Sequence, residues 1–299
     1  MILIHYNILK TKNKKKLNLL TSKELKNKTV LITGGAGSIG SQLVKRVLEY
    51  QVKSVRVLDI NEHALFTMNH TLKNSKLRVL LGSILDKERL EMAGKDVDII
   101  IHVAAVKNIE ITEFNPIETV ETNINGTINV IKMALKNNIE KFVNLSTDKS
   151  VYPTTLYGAT KHLGERLTSW AGAHNRTPKF GTIRLGNVFE TKGNVFEIWD
   201  EELEKNLPLS VTSEKMKRYF FHMDEAVDFI LNCIPLIDVG EIFVPKMYSF
   251  KIKELASKLS DNYKIIGLRQ GEKLEESLMT DEEKKNAKEK SNMWVINQY

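Results

Sequence analysis

The stretch TVLITGGAGSIGSQL, residues 29–43, constrains this chain more than any other. Its first five residues read as a short buried strand, and GSQLVKRVLEY has the apolar spacing of an amphipathic helix. Between them Gly34, Gly37 and Gly40 fall in a GxxGxxG pattern. One such glycine permits a tight turn, one lets backbone approach a pyrophosphate, and the last lets strand and helix pack closely. The helix start at Ser38 and Ile39 offers amide hydrogens to phosphate. Asp59 closes the next strand-like run 19 residues after Gly40, where a carboxylate can bind the ribose hydroxyls of a dinucleotide. That carboxylate repels a 2′-phosphate and DINEHA brings no arginine close behind it, so NAD is favoured over NADP. Arg56 is the nearest guanidinium that bears on the choice.

The pattern continues as an alternation. TVLIT (29–33), SVRVLD (54–59), LRVLLG (77–82), DIIIHVAA (98–105) and KFVNLST (141–147) read as buried strands, separated by amphipathic segments such as NGTINVIKMALKNN. Strand, helix, strand at this spacing implies a parallel sheet with helices on both faces. Beyond about Asn187 the pattern turns irregular and reads as a smaller, helix-rich lobe, with DEEKKNAKEK as an exposed helix or tail.

The net charge of +7 is local. Residues 1–28 hold eight lysines and one acid, which accounts for all of it, so the rest of the chain is balanced. A basic arm on a neutral body argues against nucleic acid as a partner. The arm reads as a solvated lead-in segment, with contact to anionic lipid as the alternative. No apolar run reaches the roughly 18 to 20 residues of a membrane span, and MILIHYNILK is too interrupted for a signal peptide. The expected location is therefore the cytoplasm, with the inner face of the membrane open through the arm. Cys233, the single cysteine, reads as buried. His102 reads as a packed core histidine, because no other His or Cys stands at metal-ligand spacing, and no metal is expected.

NLSTDKSVYPTTLYGATKHLGERL, residues 144–167, carries the chemistry. YGATK places Tyr157 and Lys161 one helical turn apart, where a nearby ammonium would lower the tyrosine pKa and let the phenolate take a hydroxyl proton as hydride leaves the same carbon. Asp148 and Lys149 stand just before them. Taken alone, that pair also fits a solvated turn after a strand.

These motifs, with HVAAVKNIEITEFNPIETVETNINGT, RLGNV, MKRYFFHMDEAVDFI and GEKLEESL, span residues 28–285. Over that length the chain resembles the extended short-chain dehydrogenase/reductases, and among them the nucleotide-sugar 4,6-dehydratases of polysaccharide biosynthesis, particularly those that act on UDP-N-acetylglucosamine and invert C5. The resemblance implies an α/β fold: a Rossmann-type doubly wound parallel sheet over 29–187, preceded by the arm 1–28. A smaller substrate-binding lobe follows over 188–299, some of whose segments return to the first domain.

It also implies roles. Tyr157 abstracts the C4 hydroxyl proton, Lys161 tunes it and holds the nicotinamide ribose, Asp148 protonates the leaving C6 hydroxyl, and Lys149 removes the C5 proton. Thr147 and Ser146 hydrogen-bond the sugar O4. Lys107, Asn123 and Asn187 order the site or contact the nucleotide sugar, Arg218 meets its diphosphate, and Arg269, Glu272 and Lys273 form a second substrate cluster. Ser83, Ile84, Ala104 and Ala105 join the glycine turn against the dinucleotide, with Ser83 standing where relatives commonly have an acid. The implied cofactor is NAD, tightly bound and recycled, the implied partner a UDP-sugar, and the implied assembly a homo-oligomer. Two other readings stay open: a nucleotide-sugar epimerase using only Tyr157 and the nicotinamide, and a non-catalytic dinucleotide-binding sensor or scaffold.

Overall fold

The computed structural model describes residues 17–298. The lysine-rich stretch through Lys16, on which the expected membrane contact mainly rests, lies outside the described residues. In chain order the first strands are β1 (Thr29–Thr33), β2 (Ser54–Asp59), β3 (Leu77–Leu81), β4 (Ile99–His102), β5 (Lys141–Thr147) and β6 (Lys179–Leu185). They are followed by β7 (Asn187–Val188), β8 (Leu209–Val211), β9 (Lys217–Phe221), β10 (Glu241–Pro245), β11 (Tyr248–Lys251), β12 (Tyr263–Ile265), β13 (Lys288–Lys290) and β14 (Met293–Ile296).

The main sheet runs β13-β14-β10-β6-β5-β4-β1-β2-β3. All pairs from β10 to β3 are parallel, and β14 and β13 close one edge antiparallel. Alternate residues of each strand feed opposite cores, as pleating requires. Val30, Ile32, Ile99, Ile101 and Val143 pack into one cluster; Leu31, Ile100 and Phe142 pack into the other. This is a doubly wound α/β sheet, and its strand order reverses between β1 and β4, the crevice where such sheets bind ligands.

Two small sheets stand at the carboxyl ends of the main strands, β11-β9-β7 and β12-β8. They share a core built on Trp199, Phe196 and Phe220, separate from the two sheet cores. The lobe is thus less helical than its sequence reads. Its strands span only two to five residues, too short for a period of two to register. The helix Met223–Cys233 leaves the lobe and packs beside Ser38–Leu48, where Arg46 meets Asp224 at 3.7 Å and Asp228 at 3.4 Å. Cys233, the last residue of that helix, is buried.

Part of the basic arm is folded rather than solvated. Leu19–Leu25 is a helix capped by Asn18, with Leu25 fully buried and Thr21 Oγ1 donating to Leu231 O at 3.3 Å. No helix among the described residues is long and apolar enough to cross a membrane.

Candidate active site

The glycine turn sits at the strand-order reversal. Gly34 has φ +65°, and a Cβ there would lie 2.6 Å from Ala104 N and Cα; one on Gly40 would lie 2.3 Å from Gly34 O. Side chains are excluded at both positions by backbone, which does not yield. Gly37 caps Ser38–Leu48 with no side-chain acceptor, so the first-turn amides face the cavity lined by Gly37, Ser38 and Ile39. That cradle, too tight for side chains and rich in amide donors, fits a dinucleotide pyrophosphate.

Asp59 stands at the same end. Its Oδ2 accepts from Ala36 N at 2.9 Å and its Oδ1 from Asn61 N at 3.0 Å, so the carboxylate braces the turn while facing the cavity. Ser83, Ile84, Ala104 and Ala105 line the adjoining wall. Arg56 is turned away and donates to Ala93 O at 2.9 Å and Lys95 O at 2.5 Å. The residues lining the cavity around Asp59 are Leu58, Ile60, Asn61, Gly82, Ser83 and Ile84, none of them basic.

The cavity, about 700 Å³, continues past the ends of β4, β5 and β6 into the lobe. DIIIHVAA is a strand only to His102 because the chain then leaves the sheet to form this wall. His102 is fully buried between Thr33 Oγ1 at 2.7 Å and Thr127 Oγ1 at 3.0 Å. Thr127 donates to Asn123 O, so it accepts from His102 Nε2–H and Thr33 donates to Nδ1. Burial and the Lys161 charge push its pKa down to about 3, which keeps it a neutral core histidine.

β5 ends in Thr147, and Asp148–Ser150 forms a 3₁₀ turn. Asp148 is fully buried; its Oδ1 accepts from Thr147 Oγ1 and from Lys149 Nζ, each at 3.0 Å. Asp148 Oδ2 has no partner among the described residues. A solvated turn is excluded. Lys149, Thr147 and Ser146 line the cavity, whereas Asp148 lies beneath its wall. Ser146 Oγ is buried with no partner among the described residues and is available to a bound hydroxyl.

The turn is clamped from behind. Arg184 and Glu165, both buried, pair bidentately at 3.0 and 2.7 Å, and Arg184 also binds Glu283 at 2.8 and 2.9 Å. Ser150 Oγ lies 2.7 Å from Glu165 Oε1, which ties the 3₁₀ turn to this cluster.

Tyr157 and Lys161 line the cavity from the helix Leu156–His174. Burial lowers the Lys161 pKa to about 8, with Glu165 opposing. Tyr157 departs from expectation. Burial raises its pKa, Asp148's charge adds to this, and a hydrogen bond with Thr147 opposes it. In the protein alone, desolvation outweighs any help from Lys161.

On the substrate side, Lys107 Nζ donates to Lys192 O at 2.8 Å. Asn187 accepts from Lys149 Nζ at 3.3 Å and donates to Tyr219 O at 3.1 Å, so it positions Lys149 as well as lining the cavity. Asn123, read as ordering the site or contacting the nucleotide sugar, lies behind the wall. Its amide is spent on Val106 N, Val106 O and Thr160 Oγ1, at 2.8 to 3.0 Å, and it orders the loop after β4. Gly40 packs against the turn, as the last glycine of the pattern should, and does not line the cavity. Arg218 is buried and donates to Leu274 O at 3.2 Å and Glu272 Oε1 at 3.4 Å, so two expected substrate residues pair with each other. Arg269 lines the outer rim.

Glu276 was not expected. Its buried carboxylate lines the cavity 3.9 Å from Lys149 Nζ. Among the described residues no cluster of three or more His, Cys, Asp or Glu could hold a metal ion.

A family model described as a polysaccharide biosynthesis protein matches residues 30–298. An uncharacterized membrane protein of Methanocaldococcus jannaschii is 42% identical, covering 92% of this chain and 87% of its own. A UDP-N-acetylglucosamine 4,6-dehydratase (inverting) of Campylobacter jejuni is 38% identical over 90% and 82%. A UDP-glucose 4-epimerase of Rickettsia bellii is 34% identical over 90% and 83%. Among solved structures, Pen from Bacillus thuringiensis superposes with a TM-score of 0.86 at 34% identity, covering 91% of this chain and 90% of that one.

Proposed function

This chain belongs to the polysaccharide biosynthesis protein family, and we propose that it is a nucleotide-sugar 4,6-dehydratase. It converts UDP-N-acetylglucosamine to a UDP-4-keto-6-deoxy-N-acetylhexosamine with inversion at C5, for surface polysaccharide or glycoprotein glycans. The observation that carries this reading is the hydrogen bond between Lys149 Nζ and the buried Asp148 Oδ1 at the wall that also presents Tyr157. An epimerase needs only the tyrosine.

NAD, held at the glycine turn, would accept the hydride from C4 and later supply it to C6, and the proton that completes C5 would come from solvent. The fit of the Gly34–Gly40 cradle and the absence of basic lining around Asp59 support NAD over NADP. Cofactor recycled in this way has no need to leave, consistent with tight binding.

The residues divide the proton work. Tyr157 takes the C4 hydroxyl proton, and Lys161, one turn away, supports the phenolate against the desolvation that raises its pKa. With a ketone at C4, the C5 proton becomes acidic. Lys149 is then required as an amine and Asp148 as an acid. Moving one proton along their 3.0 Å hydrogen bond turns the ion pair into that couple. Lys149 Nζ takes the C5 proton, the C5–C6 double bond forms, and the C6–O bond breaks as Asp148 protonates the hydroxyl, releasing water. Lys149 ends as ammonium and Asp148 as carboxylate, so elimination restores the ion pair. Delivery requires Asp148 to turn from beneath the wall toward the cavity. Each such acid or base contributes about 10²–10⁴-fold. Ser146 and Thr147 hold O4, and Arg218 leaves Glu272 for the diphosphate, to which its planar fork is suited.

On this reading the enzyme acts in the cytoplasm as a homo-oligomer, with contact between its lysine-rich arm and anionic lipid as the alternative to a solvated arm. Mass spectrometry and NMR of products from a panel of nucleotide sugars test the reading. A UDP-N-acetylglucosamine product lighter by one water supports it, and an isomer of unchanged formula selects the epimerase. No turnover with NAD still bound selects the sensor.

A further inference from the structure

Three oxygens surround Lys149 Nζ: Asp148 Oδ1 at 3.0 Å, Asn187 Oδ1 at 3.3 Å and Glu276 Oε1 at 3.9 Å. The first belongs to its own turn and the second to β7. Glu276 comes from the GEKLEESL segment, more than a hundred residues away in the chain. Its side chain is only 4% exposed, so its charge must be answered by protein. Lys273 answers it, with Nζ 2.9 Å from Glu276 Oε2, and is anchored on Val151 O at 2.8 Å and Tyr152 O at 3.1 Å. Four alternating charges, Lys273, Glu276, Lys149 and Asp148, therefore follow one another, each within 4 Å of the next.

We infer that Glu276, itself paired with Lys273, is a positioning residue that holds the Lys149 amine at the elimination site. The inference rests on the dehydratase reading. In that reading Lys149 Nζ must reach the C5 hydrogen of a sugar already oxidised at C4, and the groups around it set its place. Asp148 draws the amine toward its own turn, while Asn187 and Glu276 hold it from β7 and from the GEKLEESL segment. Tyr157 and Lys161, which serve C4 oxidation, come from a different element, the helix Leu156–His174, so loss of Glu276 falls on elimination.

The experiment follows elimination as dehydrated product from UDP-N-acetylglucosamine with NAD, and follows C4 oxidation separately through the absorbance of reduced nicotinamide in a single turnover. Glu276→Gln is expected to lower elimination by about tenfold or more, with C4 oxidation within about twofold of wild type. Glu276→Asp, which keeps the charge, should recover part of that loss. Lys273→Met releases the Glu276 carboxylate from its anchor and should lower elimination with the same selectivity. Unchanged elimination in Glu276→Gln overturns the inference, as does a loss that falls equally on C4 oxidation. If Glu276→Gln does not fold, the selectivity of the Lys273→Met loss decides alone. A wild-type protein that eliminates no water sinks the dehydratase reading itself, whereas an active wild type with unmoved variants sinks only the role of Glu276.

Discussion

Asp148 and Lys149, neighbours in the chain, are joined side chain to side chain by a 3.0 Å hydrogen bond, with the acid fully buried and the amine at the cavity wall. A 3₁₀ turn makes this possible, since in a strand successive side chains point to opposite faces. Replacing Lys149 with alanine should therefore remove the base without disturbing the glycine turn. We expect elimination to fall by about 10³-fold while NAD affinity, read by calorimetry, stays within about threefold of wild type. Unimpaired elimination would refute its role as base.

Tyr157→Phe deletes only the phenolic oxygen. C4 oxidation should drop by roughly 10²–10⁴-fold, seen as loss of reduced nicotinamide in a single turnover, while UDP-sugar affinity changes little. Equal losses in binding and oxidation would show that the phenol holds substrate instead of moving its proton.

Lys161 is a site where function opposes stability. Burial depresses its pKa from 10.5 to about 8, so below pH 8 the folded apoprotein carries an ammonium that the unfolded chain solvates better. Lys161→Met should stabilise the apoprotein by about 1–3 kcal/mol at pH 7. The advantage should shrink as pH rises from about 8 toward 10.5, where the unfolded lysine also loses its proton. Urea unfolding across that range checks the sign; a constant difference contradicts it.

Arg184→Met leaves Glu165 buried without its bidentate partner. The cost should be about 3–5 kcal/mol, measured by urea unfolding. Because Ser150 hangs on the same cluster, elimination should also fall in whatever variant remains folded.

How much of this is legible in the sequence depends on where the determinant lies. TVLIT, SVRVLD and KFVNLST coincide with β1, β2 and β5, because continuous apolar runs bounded by polar residues can only be buried strands in this setting. The glycine turn is equally plain, since its spacing is a recognisable pattern and Gly40 is required by a backbone contact with Gly34 six residues before it. The short strands β7 to β14 were not, because two to five residues carry no period. Asn123 sits in the π-helical turn Glu121–Asn125, and which backbone it binds, that of Val106, is a tertiary contact that no local pattern reports. Glu276 is one of three glutamates in GEKLEESL, and only a tertiary contact with Lys149 separates it from Glu272 and Glu275. The Tyr157 shift was missed for a related reason: motif spacing reports the ammonium nearby but not the desolvation that outweighs it.

The measurement closest to the central claim is incubation of the NAD-loaded protein with UDP-N-acetylglucosamine in heavy water, with the product analysed by mass spectrometry and NMR. The account predicts loss of one water and deuterium at C5, both abolished in Lys149→Ala. An isomer of unchanged formula without deuterium at C5 would contradict it.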